Sequence, residues 1–170
     1  LLDGACRIGS MMDRVQEIGQ EAIALTDHGV MYGTIDFYRA AKKAGIKPIV
    51  GCEVYVARRT RFDKVHGVDK EPYHLVLLCE NETGYRNLSY MVSLGFTEGF
   101  YNRPRVDMEL LREHHEGLIA LSACLAGRIP QSIMQDDLQA AEQAAREYAE
   151  VFGPDHFYLE LQDHGIPEQR

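Results

Sequence analysis

The chain has no run of about eighteen apolar residues, the length a helix needs to cross a bilayer, so no membrane span is expected. A secretory leader is not expected either. Leu1-Leu2 runs straight into Asp3, without a basic segment or a long apolar stretch. There is no initiator Met, and the sequence stops soon after the turn signal Gly165-Ile166-Pro167, so both ends are expected to be cut. Cysteines at metal-knuckle spacing are missing too. Cys6, Cys52, Cys79 and Cys124 form no CxxC pair, which argues against a zinc knuckle, and a chain of 170 residues can bury a core without disulfide staples. Reduced thiols in a cytoplasmic setting fit that usage. Positive charge is scarce: 18 Lys and Arg against 26 Asp and Glu leave a net charge of −8. Phosphate-backbone binding relies on clustered cations, so this segment is poorly suited to gripping DNA by itself. No internal repeat and no low-complexity tract is found.

A hydrophobic fraction of 45% with 26% charged residues is that of an ordinary globular domain, and the length suits one domain. Helical and strand-like segments alternate. Ser10 can cap a helix through Gln20, followed by the apolar run Ala22–Leu25. Thr34 to Ala44 reads as a helix closed by Gly45, and Ile49 to Val56 as a β-branched strand. Leu75 to Cys79 is the next strand, Thr83 to Leu94 a helix, and Asp107 caps a helix to His115. Leu118 to Leu121 is a strand, Asp136 to Val151 an Ala-rich helix, and Phe157 to Leu161 a last strand. Short apolar strands separated by helices predict an α/β fold with a parallel sheet of βα units. A doubly wound sheet and a barrel both fit. Two loops stand out: 58–72, charged and expected to be mobile, and 95–106, which mixes aromatics with Arg103 and Arg105.

In parallel α/β folds the chemistry gathers on loops at the C-terminal strand ends. Thr26-Asp27-His28 follows the first strand, Gly51-Cys52-Glu53 lies in the next, His74 sits at the mouth of a strand, and Cys124 follows Leu118–Leu121. His, carboxylate and thiolate converging on one rim can hold Zn²⁺ or Mn²⁺ more naturally than Mg²⁺. Such ions activate water and clamp phosphate. Each residue taken alone also has an ordinary role. Asp27 suits a turn cap before Gly29, His74 a hydrogen-bonded core histidine, and Cys124 a small buried residue. Glu53 is harder to place so, because a carboxylate in an apolar strand needs a partner. His66, His114 and His115 read as solvated.

These residues carry a family resemblance that runs nearly end to end: LLDGACRI at 1–8, ALTDHGVMYG at 24–33, AGIKPIVGCEVYV at 44–56, HLVLLCENETGYRNL at 74–88, EGLIALSACLAGRIP at 116–130 and LELQDHGIP at 159–167. In order and spacing they resemble the PHP (polymerase and histidinol phosphatase) domain of C-family replicative polymerases, the DNA polymerase III alpha branch. The resemblance implies an incomplete, distorted (β/α)7 barrel with parallel strands. Residues 1–170 would then be a PHP domain lacking an HxH pair before LLDG and an Asp-x-His pair on a later strand. By motif it makes Asp3, His28, Glu53, His74 and Cys124 metal ligands, with Asp27 a catalytic candidate. It further implies Zn or Mn in this site, Mg for polymerisation elsewhere in the parent chain, and a 3′–5′ exonuclease role for the domain. The implied partners are the rest of the alpha chain, a sliding clamp, a clamp loader, an exonuclease subunit and, through the parent protein, DNA. The fragment alone is expected to be inactive. A scaffold docking a separate exonuclease, and a stand-alone PHP phosphatase, are the alternatives.

Overall fold

The computed structural model describes residues 6–169. In chain order the elements are α1 (Ile8–Glu17), β1 (Ala22–Leu25), α2 (Thr34–Ala44), β2 (Lys47–Val56), β3 (Tyr73–Cys79) and α3 (Glu82–Thr97). These are followed by β4 (Arg105–Val106), α4 (Met108–Glu113), β5 (Leu118–Leu121), α5 (Arg128–Met134), α6 (Leu138–Phe152) and β6 (Phe157–Tyr158). The chain is a mixed α/β fold whose sheet runs β1-β2-β3-β5-β6, with β4 on β2. Among the described residues this path does not return from β6 to β1.

Local chemistry sets most boundaries. Gly45, at φ 73°, closes α2 in the left-handed conformation that glycine adopts without steric cost. The Asp107 carboxylate accepts from the Leu110 amide and starts α4, and Asn81 caps α3 in the same way through Gly84. Ser10 is not a cap: α1 begins at Ile8 behind Arg7, which makes no side-chain cap bond. Two elements have no counterpart in the sequence reading. The two-residue β4 is too short to show a period, and α5 carries Pro130, which reads as a breaker but is tolerated within a first turn. The strand expected over 157–161 ends at Tyr158, and Leu161 is 95% exposed.

The β1–β2 and β5–β6 pairs are parallel, as expected, and the short β4 also pairs parallel to β2. The expectation of parallel strands fails at β3, which runs antiparallel to both β2 and β5. The cause lies in the connection. Between Val56 and Tyr73 there is no crossover helix to carry the chain back to the start of the sheet, so β3 returns beside β2 in the opposite sense.

Alternation along β2 sorts its side chains. Cys52, Val54 and Val56 join Leu75, Leu77, Leu118 and Ala120 in the main core, covered by Leu88 and Met91 of α3, Leu110 and Leu111 of α4, and Ala144 and Tyr148 of α6. Burying a leucine such as Leu75 or Leu77, each 0% exposed, contributes about 1.5–3 kcal/mol. A second cluster, Met12, Val15, Phe37, Ala41 and Ile46, packs α1 and α2 on β1. Glu53 and Tyr55, two residues apart, share the other face of β2.

Candidate metal centre

The strand directions bring the polar residues together. Along one edge of β2, β1 pairs with residues 47–50 and β4 with residues 55–56. In the gap between them the segment after β1 stays laddered to β2: the Glu53 amide donates to the Asp27 carbonyl at 3.0 Å, and the Gly29 amide to the Glu53 carbonyl at 2.8 Å. That bridge sets His28 beside Glu53. Gly29 has φ 69°, and a Cβ there would lie 2.7 Å from the Tyr55 ring, so glycine alone fits this turn. On the other edge the reversed β3 brings its first residues to the end of β2, with His74 opposite Tyr55. Had β3 been parallel, a residue at its N-terminal end would lie at the far end of the sheet from Glu53.

Cys124 arrives from the loop after β5. Its neighbour Ala123 is held at φ 61°, a left-handed conformation costly for a residue with a Cβ, and this turns the chain sharply toward the site. The loop is then tied down. The His74 amide donates to the Ala126 carbonyl at 3.0 Å, and the Gly127 amide to the Cys124 carbonyl at 2.8 Å.

Glu53 Oε1 lies 2.7 Å from His28 Nδ1 and 2.9 Å from His74 Nδ1. His74 Nδ1 in turn lies 3.6 Å from Cys124 Sγ. One ligand atom each from Glu53, His74 and Cys124 fall within 4.8 Å of one another. Burial disfavours the charged imidazole of His74, but its hydrogen bonds to Cys124 and Glu53 outweigh this and raise its pKa to about 9. Burial likewise raises Glu53, yet hydrogen bonds from His74 and His28 leave its carboxyl below the usual range. The bond to His74 pulls the Cys124 thiol down. Cys52 and Cys79 behave oppositely: burial pushes their thiols up to about 12 and about 11. Cys124 is therefore more readily ionised than those two.

These donors fit a divalent ion. Tetrahedral coordination with bonds of about 2.0–2.3 Å separates ligand atoms by about 3.3–3.8 Å. The His74–Cys124 separation already has that value, and the Glu53–His74 contact needs to open by only about 0.5 Å. The mixed oxygen, nitrogen and sulfur set suits a borderline ion.

Of the residues singled out from sequence, Glu53, His74 and Cys124 share the cluster, and His28 joins it through Glu53. Asp3 lies outside the described residues. Asp27 contributes its backbone carbonyl, which also accepts from the Cys52 thiol at 3.4 Å. Its carboxylate faces Gly33, where an added Cβ would meet Oδ2 at 3.2 Å, and it is not one of the three clustered ligand atoms. Tyr55, which is not among the residues singled out from sequence, packs its ring edge-on to His74 at 5.1 Å. Its place two residues after Glu53 on a strand was the available signal.

A family model described as the PHP domain matches residues 1–164. The chain belongs to the PHP domain family. It is 48% identical over 171 residues to DNA polymerase III subunit alpha of Treponema pallidum, covering 100% of this chain and 15% of that protein. It is 48% identical over 174 residues to DNA polymerase III subunit alpha of Thermus aquaticus, covering 100% of this chain and 14% of that one. This PHP chain thus spans a small part of those relatives' length. Among solved structures, an amidohydrolase from Chromobacterium violaceum overlaps 91% of the chain and 84% of its own at 14% identity and a TM-score of 0.46, too remote to bear on activity. No helix among the described residues is long and apolar enough to cross a membrane.

Proposed function

We propose that residues 1–170 are one domain, the PHP domain of a DNA polymerase III alpha subunit, and that the domain is a metal-dependent phosphoesterase acting on the 3′ end of DNA. The observation carrying the reading is the meeting of Glu53, His74 and Cys124 at one end of the sheet, in a chain similar throughout to alpha subunits. Glu53, His74 and Cys124 hold a divalent ion, Zn²⁺ or Mn²⁺, with His28 and Asp3 as further ligands. Such an ion, when bound, supplies a water of lowered pKa and a clamp for phosphate oxygen. The protein orients it. The Ala123 turn aims the thiolate, and the core beneath β2 and β3 holds the carboxylate and imidazole in register. Nucleotide addition, with its Mg²⁺, belongs to other regions of the parent polymerase. Its partners in a cytoplasmic replication machine are a sliding clamp, a clamp loader and an exonuclease subunit.

The test uses the full-length protein and its Glu53→Gln variant. Metal content is measured together with release of nucleotides from a 3′-labelled single strand without dNTPs. The expected result is loss of bound metal and of nucleotide release in the variant, with primer extension retained. Nucleotide release unchanged by Glu53→Gln would remove the nuclease from this site.

A further inference from the structure

The proposed centre presents a carboxylate and a thiolate, in a chain of net charge −8, to a substrate that is itself an anion. A phosphate ester approaching it needs a fixed cation at hand. Among the described residues, Arg103 alone places a guanidinium on a side chain that itself touches the cluster. Its Cζ lies 4.8 Å from the centre of the Tyr55 ring, and Nη1 donates to the Tyr55 hydroxyl at 2.7 Å. Tyr55 is 2% exposed and packs edge-on against His74, so one ring contacts both the guanidinium and the ligand imidazole.

The placement of Arg103 is built in. The Asn102 backbone takes φ 59°, and the Tyr101 amide donates to the Arg103 carbonyl at 3.0 Å, which makes a tight turn with Arg103 on its exit. Pro104 and β4 then lock the exit: Arg105 pairs with Tyr55 in the sheet, and its buried guanidinium donates to the carbonyls of Gly99, Arg61, Asp63 and Asp69. Arg103 itself is exposed, has no carboxylate partner among the described residues, and spends one of its five N–H donors on Tyr55. A preorganised arginine with donors to spare suits bidentate recognition of phosphate oxygens.

We propose that Arg103 is the phosphate anchor of this site, donating to non-bridging oxygens of the ester held at Glu53, His74 and Cys124. This rests on the phosphoesterase reading of the centre, but binding and cleavage can be tested apart. Calorimetric titration of the full-length protein with inorganic phosphate, with and without Mn²⁺, is compared for wild type, Arg103→Gln, Arg103→Lys and Glu53→Gln. Arg103→Gln is expected to weaken phosphate binding roughly tenfold or more at unchanged Mn²⁺ content, with Arg103→Lys between it and wild type. In 3′-labelled single-strand hydrolysis Arg103→Gln raises KM more than it lowers kcat. The slope of log KM against log salt falls by about one, as for the loss of a single phosphate contact. Phosphate affinity and salt slope unchanged by Arg103→Gln would overturn the proposal and leave Arg103 a strut for Tyr55. So would failure of the wild-type protein to bind phosphate. Arg103-dependent phosphate binding without any hydrolysis would uphold the anchor and remove the nuclease reading instead.

Discussion

The half-buried Glu53–His74–Cys124 cluster and the more deeply buried knot around Arg61, Arg105 and Asp107 are both polar, yet their hydrogen-bonding groups are matched very differently. In the knot each charge is answered. Arg61 reaches Glu98, Asp107 and Glu109, and Asp107 also accepts the Arg61 amide and caps α4. Arg105, 0% exposed, gives its donors to four carbonyls. Asp69, 1% exposed, accepts from Arg59 and the Val65 amide. In the cluster one carboxylate oxygen serves two imidazoles, and a thiol shares the same Nδ1. A saturated network rigidifies the fold. Converging ligand atoms that share too few protons are instead arranged for something that is added.

The contrast is broken or sharpened by treating the two regions alike. The largest effect is expected in the knot. Arg105→Leu leaves four carbonyls, two buried and two part-buried, without this donor and should cost about 3 kcal/mol or more, read as a lower denaturant midpoint, with Arg105→Lys intermediate. A change under about 1 kcal/mol would mean the knot is not structural. Next is Cys124→Ser, which replaces a soft ligand by a hard one. Zn²⁺ affinity should fall roughly tenfold to a hundredfold and Mn²⁺ affinity less, with folding stability nearly unchanged. Equal losses for both ions would speak against sulfur ligation.

Two smaller effects follow from pH. Arg59 holds the Asp69 carboxyl down at about 2, below its ordinary 3.8. Its contribution to stability is therefore present above about pH 4 and lost as pH falls toward 2. Asp69→Asn should flatten acid unfolding in that window. His74 has the opposite sign. Its pKa, raised from 6.5 to about 9, gives the metal-free domain stability that is full below about pH 6.5 and is lost as pH rises through 9. Denaturant midpoints in chelator at pH 6 and pH 9.5 should differ for wild type and less for His74→Asn.

How far the sequence carried this account can be read from single residues. The helix over 34–44 and the strand over 118–121 were legible to the residue, because Gly45 and Gly117 punctuate them. Glu53 was legible as a type within a strand, and His74 and Cys124 as types at strand ends. Their convergence on one rim was expected too, but not the route to it, because that depends on the reversal of β3, and strand direction leaves no period in a sequence. The charged loop 58–72 was expected to be mobile. It is pinned instead by Arg105, which lies over thirty residues beyond its end and bonds to carbonyls that carry no side-chain signal. Arg103 gains its place beside Tyr55 only through packing of the 99–105 turn on β2.

The most direct measurement is a paired one on full-length wild type and Glu53→Gln: Zn²⁺ or Mn²⁺ titration by calorimetry, with denaturant stability of the same metal-free samples. A ligand carboxylate predicts a loss of about a hundredfold or more in affinity, with metal-free stability at pH 9.5, where the His74 contribution is lost, within about 1 kcal/mol of wild type. Undiminished metal affinity in Glu53→Gln, accompanied by a fall in stability like that of Arg105→Leu, would make the cluster a second structural knot and contradict the account.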